Sequence, residues 1–214
     1  MGFLELLSFD KKYGKVIAGV DEAGRGPWAG PVVAAAVVLD LEKTNGLEQV
    51  NDSKKLSEKK RGELFDIIRN SCRAMAITEV SPKVIDKTDI LKATMQAMKN
   101  SVLKLEVKPE LVIIDGNKAP DLEGIAAETV IDGDAKSLSI AAASIVAKVY
   151  RDRLMNNFAK FYPQYGFEKH KGYGTKTHMD ALTQFGPCDI HRMSYKPVAE
   201  YARKWKMKEE ENKG

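Results

Sequence analysis

Cysteine is nearly absent from these 214 residues: Cys72 and Cys188 are the only two. Thiols so far apart in sequence build no disulfide framework, and the chain reads as intracellular, in the cytoplasm. Long apolar runs are missing as well. The longest stretch without a charge is the 14 residues between Arg25 and Asp40, too short for a helix that spans a bilayer. Glu5 stands among the first apolar residues and no basic residue precedes them, so a secretory signal is not expected. No membrane role is left. One-sided charge is lacking too: 34 Lys and Arg face 30 Asp and Glu, a net +4. Such a balance speaks for a nucleic-acid partner only where the positive charge is clustered. Nucleotide loops of the GxGxxG and GxxxxGK(S/T) types, the GxSxG nucleophile elbow, internal repeats and low-complexity linkers are all absent.

What remains is a soluble globular composition, 43% hydrophobic and 30% charged, in a chain long enough to bury a core without disulfides or a structural metal. Residues 16–21 and 32–39 are rich in Val and Ala and bounded by Gly and Pro, the pattern of buried strands. Ser57 is placed to cap a helix to about residue 70, and residues 72–80 read as a strand. Ser81-Pro82 is a helix start, and residues 89–105 carry apolar side chains at helical spacing. Residues 111–114 form a continuous apolar run, and 129–131 suit a short strand. A long helix is expected over 137–162, with further helices over 176–185 and 195–207 and a solvated tail from Lys208. Strands first, then alternating helix and strand, describe an α/β layered domain with a helical C-terminal annex.

Acidic residues stand where burial makes charge costly. Asp21 and Glu22 follow the first apolar strand, Asp115 ends another, and Asp134 precedes the most apolar helix. If those strands are neighbours, three or four carboxylates converge at one end of a sheet. Such a set repels itself, and a hard divalent cation is the natural compensation. Two metals could activate water and stabilise the leaving oxygen of a phosphodiester. Each residue also has an ordinary explanation: Asp134 as a complement to its helix N-terminus, Asp115-Gly116 as a turn, Asp21 and Glu22 in surface ion pairs. Adjacent strand residues point to opposite faces, so Asp21 and Glu22 share a site only if the chain leaves strand geometry there.

Gly24-Arg25-Gly26 sets an arginine between two residues without side chains, which suits close backbone approach to a ligand and a forked contact to phosphate. An ordinary glycine turn explains it equally well. Residues 148–178 hold seven Lys or Arg against two acids, together with seven Phe or Tyr. That mixture suits phosphate contacts plus stacking on sugars or bases. Tyr173, flanked by glycines, is expected to be exposed, whereas Phe158, Phe161 and Tyr162 read as core. Asn51-Asp52-Ser53-Lys54-Lys55 is a second basic candidate or a solvated loop. Cys188 and His191, with His178 nearby, make only half a zinc site, so packing and hydrogen bonding are the better reading.

Together these segments resemble the type 2 ribonucleases H, the bacterial ribonuclease HII group among them. The resemblance rests on GVDEAGRGPWAGP at 19–31, NDSKKLS at 51–57, IDGN ending at Asn117, and GDAKSLSIAAASIVAKVYRDR at 133–153. YPQYGFEKHKGYGTKTH at 162–178 and GPCDIHR at 186–192 complete it. It covers roughly residues 15–200, and its motifs are long enough to be specific.

The resemblance implies a ribonuclease H-like mixed five-stranded sheet flanked by helices. It implies a catalytic domain over 1–190 and a helical extension over 191–214 packed on that domain. Asp21, Glu22, Asp115 and Asp134 would be catalytic metal ligands for Mg²⁺ or Mn²⁺. The implied partners are RNA–DNA hybrids and duplex DNA carrying ribonucleotides, cut by a monomer on the 5′ side of the ribonucleotide. By the same resemblance Gly24, Arg25 and Gly26 would read the ribose 2′-hydroxyl. Tyr173 would pack against the next sugar, and Ser53 and Lys54 would contact phosphate. The histidines would be left with structural or phosphate-binding roles.

Overall fold

The computed structural model describes residues 2–51, 53 and 56–211. Among them the order is α1 (Phe3–Lys11), β1 (Ile17–Ala23), β2 (Val32–Val38), α2 (Glu58–Ser71), β3 (Ala74–Val80), α3 (Pro82–Lys87) and α4 (Ile90–Leu103). There follow β4 (Leu111–Asp115), β5 (Ala127–Val130), α5 (Leu138–Phe161), α6 (Phe167–His170), α7 (Lys176–Phe185) and α8 (Lys196–Glu211). The strands form one sheet in the order β3-β2-β1-β4-β5. β1 runs antiparallel to β2 and parallel to β4, which runs parallel to β5. This is the expected mixed five-stranded sheet.

The chain gathers into two compact units. The first takes the chain up to Ala23, Val33–Glu79 and Thr94–Tyr150, and so holds the sheet. Every residue of β2 is buried, and so is every residue of α5 from Leu138 to Ala147. That is why the first half of α5 carries only apolar or small side chains. Ile17, Leu111, Ile113, Val130 and Ile140 form one packed cluster on the sheet. The second unit takes Gly24–Val32, Val80–Ala93 and the chain from Arg151 on. Its core joins Ala29, Met155, Tyr165, Phe167, Ala181, Leu182 and Ile190.

Local signals behave as their chemistry dictates. Ser57 Oγ accepts from Lys60 N at 3.2 Å and starts α2, and Pro82 occupies the first turn of α3. Ser137 Oγ accepts from Ile140 N at 3.1 Å, so α5 has its own cap and does not require Asp134 for that purpose. Residues 208–211 continue α8 as helix and largely face solvent as expected, since Lys and Glu are good helix formers even when solvated. Two expectations need correction. Phe161 is exposed rather than core, because α5 buries only one face by its last turn. Within the basic stretch, Arg151 and Lys171 are buried rather than solvent-facing.

α1 docks through a carboxylate. Asp10 is buried, and its Oδ2 accepts from both Ser139 N and Ser139 Oγ at 2.8 Å, supplying a remote cap to α5. Burial raises the Asp10 pKa above the usual carboxylate range, partly offset by these hydrogen bonds. Asp10→Ala would leave the Ser139 donors buried and unsatisfied, and a loss of about 1–3 kcal/mol is expected in urea unfolding. An unchanged midpoint would remove the capping role.

Candidate active site

β1 and β4 run parallel with Val20 opposite Ile114. One step further along each strand stand Asp21 and Asp115, so parallel register alone brings two carboxylates to the same end of the sheet. Asp21 is buried, and its pKa rises well above the ordinary value. Desolvation is the main cause, followed by the charges of Glu22 and Asp115. A hydrogen bond from Ser144 and one from Glu22 N, at 2.6 Å to Oδ1, oppose the rise. The structure therefore brings Asp21, Glu22 and Asp115 into one electrostatic neighbourhood. β1 stays paired with β2 through Ala23, with Asp21 opposite Ala35 and Glu22 opposite Ala34. The chain keeps strand geometry between the two acids and the turn begins only at Gly24, so the expectation that they could share a site only by leaving it is corrected: Glu22 acts on Asp21 through its charge from within the strand.

Asp134 reaches the same end by a turn. Gly133 N donates to Asp115 Oδ1 at 2.7 Å, and Gly133–Ala135 form a single 3-10 turn in which Asp134 is buried. The turn is entered through Asp132 at φ 54°. Asp115 is thus oriented by a backbone amide next to Asp134. Ser144, on the buried face of α5, lies 2.9 Å from Ser53 Oγ, and so Ser53, Ser144 and Asp21 form a line of hydrogen bonds. Ser53 is buried with its hydroxyl toward Ser144, and Arg61 Nη1 donates to Ser53 O at 3.0 Å. Lys54 lies outside the described residues.

These donors suit a hard cation. A buried carboxylate beside two other acids is costly as an anion and favourable as a ligand. Among the described residues no three His, Cys, Asp or Glu side chains close around a single point as a ready metal cage. Mg²⁺ does not need one, since it takes one or two carboxylates and completes its shell with waters and substrate phosphates.

In the second unit, Gly24 has φ 96°, a conformation closed to most side chains, and a Cβ there would stand 2.0 Å from Arg151 Nε. Arg25 and Gly26 are exposed. A Cβ on Gly26 would meet Tyr173 Cε1 at 3.6 Å, so the glycine-arginine-glycine loop and Tyr173 are neighbours. Tyr173 is 48% exposed, as expected. Two buried arginines shape this region from within. Arg151 donates to the carbonyls of Pro31, Lys171 and Ala29, each at 3.0 Å. Arg192 donates to Gly24 O, to Arg25 O at 2.9 Å and to Gly30 O at 3.0 Å. Burial lowers both arginine pKa values, that of Arg151 to about 10.

Cys188, His191 and His178 do make the hydrogen-bonded cluster that their spacing suggested. His191 Nε2 and His178 Nε2 are 2.9 Å apart, and Cys188 N donates to His191 Nδ1 at 2.8 Å. Burial pushes the His178 pKa down to about 4 and that of His191 to about 3, so both rings are neutral at physiological pH. The roles of Arg151, Arg192 and Ser144 escape sequence reading. The only available signal for the serine is a hydroxyl inside a wholly buried helix, where it must find a partner.

A family model described as Ribonuclease HII matches residues 18–198. A Ribonuclease HII from Endomicrobium trichonymphae is 52% identical over 200 residues, covering 92% of this chain and 94% of that protein. One from Caldicellulosiruptor bescii is 52% identical over 181 residues, covering 85% and 86%. The crystal structure of ribonuclease H2 from Pyrococcus horikoshii OT3 superposes with TM-score 0.75 at 27% identity, covering 89% of this chain and 98% of that one.

Proposed function

Because this chain belongs to the ribonuclease HII family and is therefore a ribonuclease H, a hydrolase, we propose that it cuts the RNA strand of RNA–DNA hybrids and incises duplex DNA 5′ of a single embedded ribonucleotide. The products carry 3′-hydroxyl and 5′-phosphate ends. The activity would serve ribonucleotide removal and primer RNA degradation, carried out by a monomer in the cytoplasm.

The observation that supports this most is the placement of Asp21 and Asp115 at the same end of two parallel strands, with Asp21 buried and destabilised as an anion. Asp21, Glu22, Asp115 and Asp134 would hold Mg²⁺ or Mn²⁺, both of which accept oxygen ligands. Such an ion, when bound, lowers the pKa of water and stabilises charge on phosphate oxygens. The protein's own part is orientation. Gly133 N fixes one oxygen of Asp115, Ser144 and the Glu22 amide fix Asp21, and burial keeps competing water from Asp21. A general-base histidine has no place in this scheme: His178 and His191 are buried and already engaged with each other.

The 2′-hydroxyl distinguishes RNA from DNA, so a selective enzyme must test it. Gly24, Arg25 and Gly26 would do so largely through backbone groups, and Tyr173 would pack against the following sugar. Lys54 would contact phosphate, and Ser53, whose hydroxyl is turned to Ser144, would do so through its main chain. The test is cleavage of a labelled DNA duplex with one ribonucleotide, beside an all-DNA duplex and a continuous RNA–DNA hybrid, with Mg²⁺, Mn²⁺ or chelator. The expected result is metal-dependent incision 5′ of the ribonucleotide and of hybrid RNA, with all-DNA untouched. Cleavage of the hybrid alone would remove ribonucleotide-junction recognition, and cleavage of all-DNA would point to a broader nuclease.

A further inference from the structure

Two residues adjacent in sequence, His191 and Arg192, reach both substrate-reading elements, and each does so through main-chain carbonyls. Arg192 is fully buried and turns three guanidinium nitrogens onto the carbonyls of Gly24, Arg25 and Gly30. Tyr195 adds its hydroxyl, which donates to Arg25 O at 2.6 Å. A carbonyl drawn inward fixes the peptide plane, and with it the direction of the amide on the far side. His191 works at one remove. His178 Nδ1 lies 2.9 Å from Tyr173 O, which can only accept, so that nitrogen carries the proton. His178 Nε2 is then an acceptor, and the 2.9 Å contact requires His191 Nε2 to donate. His191 Nδ1 must accept in turn, and it does so from Cys188 N, with the Cys188 thiol 3.2 Å away. One tautomer assignment satisfies the line from Cys188 N to Tyr173 O and leaves only the longer 3.3 Å approach of His191 Nδ1 to Cys188 O without a proton between them.

The backbone around these residues is tied together in the same way. Arg192 N donates to Trp28 O at 2.8 Å, Gly30 N to Ile190 O at 2.9 Å, and Trp28 N to Gly172 O at 2.8 Å. Three segments, at 24–31, 170–178 and 188–195, thus interlock through the backbone of Trp28 and Gly30. We infer that His191 and Arg192 are positioning residues: His191 holds the Tyr173 carbonyl by seating the His178 ring against it through the Nε2 contact, and Arg192 holds the carbonyls of Gly24, Arg25 and Gly30. Discrimination between an isolated ribonucleotide and a long hybrid therefore depends on both. The inference about discrimination rests on the substrate reading proposed above; the tautomer relay does not.

The neutral state of both rings agrees with the assignment. A protonated His178 or His191 would place a hydrogen on each side of a contact that has room for one. Neither residue touches substrate in this scheme, so the test has to separate positioning from mere stability. His191→Leu removes the partner of His178 Nε2, so the His178 ring is no longer seated against Tyr173 O and can turn away to carry its proton at Nε2. His191→Gln keeps an N–H near the Nε2 position. Nitrogen-15 NMR of the ring nitrogens reads the tautomer directly on the metal-free protein. The expectation is His178 protonated at Nδ1 in the wild type and in His191→Gln, and a shift towards the Nε2 tautomer in His191→Leu. In cleavage assays His191→Leu should lose about tenfold more kcat on the single-ribonucleotide duplex than on the continuous hybrid, with most of that restored in His191→Gln. Arg192→Lys, which keeps the charge but cannot serve three carbonyls, should show the same selective loss without rescue.

An unchanged His178 tautomer in His191→Leu would overturn the relay whatever the activities are. Equal losses on both substrates would overturn the role in discrimination. Absence of wild-type cleavage at the single ribonucleotide would instead sink the substrate reading and leave the tautomer result standing.

Discussion

Asp21→Asn should lower cleavage by at least about 10³-fold, about 4 kcal/mol of barrier, while making the metal-free protein more stable. The two effects share one cause. Asp21 is buried beside Glu22 and Asp115, and its carboxyl pKa is raised well above the usual range by desolvation and by those two charges. The folded chain therefore accommodates the Asp21 carboxylate less well than the unfolded chain does. Asn keeps an oxygen acceptor for Ser144 and for the Glu22 amide, so little packing is lost. A gain of about 1–3 kcal/mol is expected, and at this chain length each kcal/mol moves Tm by about 2–4 °C.

The sign with pH follows from the same shift. A carboxyl with a raised folded-state pKa binds its proton more tightly when folded. Its contribution to stability therefore grows as pH falls through the folded pKa, and it is complete only below the unfolded value near 3.8. The advantage of Asp21→Asn over wild type should accordingly shrink as pH is lowered. Adding Mg²⁺ should raise the wild-type Tm more than the variant's, because an ion that binds only the folded state stabilises it. The measurements are thermal scans with and without Mg²⁺ at two pH values, alongside turnover on a hybrid. A variant less stable than wild type at neutral pH would show that Asp21 is not a strained anion.

The fold was legible wherever a segment's own side chains decide its structure. β2 is apolar at all seven positions, and α5 is apolar or small around its whole first half, so both announce burial without knowledge of their neighbours. Ser57 and Ser81-Pro82 mark helix starts by local hydrogen bonding and dihedral restriction, and both helices begin there. α1 was not expected. Its two buried positions are Leu6 and Asp10, and an inner face with one aspartate has no apolar periodicity to read. β5 is an edge strand with three exposed residues and only Val130 buried, so its first two residues carry no strand signal and it begins at Ala127, two residues before the expected 129–131.

The candidate site divides in the same way. An acid at the end of an apolar strand is conspicuous in sequence, so Asp21 and Asp115 could be singled out before their strands were known to be neighbours. Arg151 and Arg192 could not. Arginine is ordinarily a surface residue, and these two are held by carbonyls at sequence separations of 20 to 168 residues. Nothing in local spacing marks such a bond. The basic stretch at 148–178 misleads for that reason, since part of its charge shapes the protein instead of facing a partner.

Gly19→Ala should be the most damaging small substitution outside the carboxylates. A Cβ at Gly19 would stand 2.2 Å from the carbonyl carbon of Ser139 and 2.4 Å from Ile140 N and Ser139 O. These are backbone atoms of the first turn of α5, and no side-chain rotation can relieve the clash. α5 cannot easily retreat, because Asp10 holds Ser139 and Ile140 packs among Ile17, Leu111, Ile113 and Val130. A loss of about 3 kcal/mol or more is expected. Gly62→Ala is the matched control: it lies within α2, a Cβ there meets nothing within 4 Å, and a gain of about 0.5–1 kcal/mol is expected from helix propensity. Urea unfolding of both variants decides the matter. The folded fraction of Gly19→Ala should also cleave poorly, since a displaced α5 carries Ser144 away from Asp21 only two residues beyond Gly19. If the two alanine variants were equally stable, close packing of β1 on α5 would not be what the glycine secures.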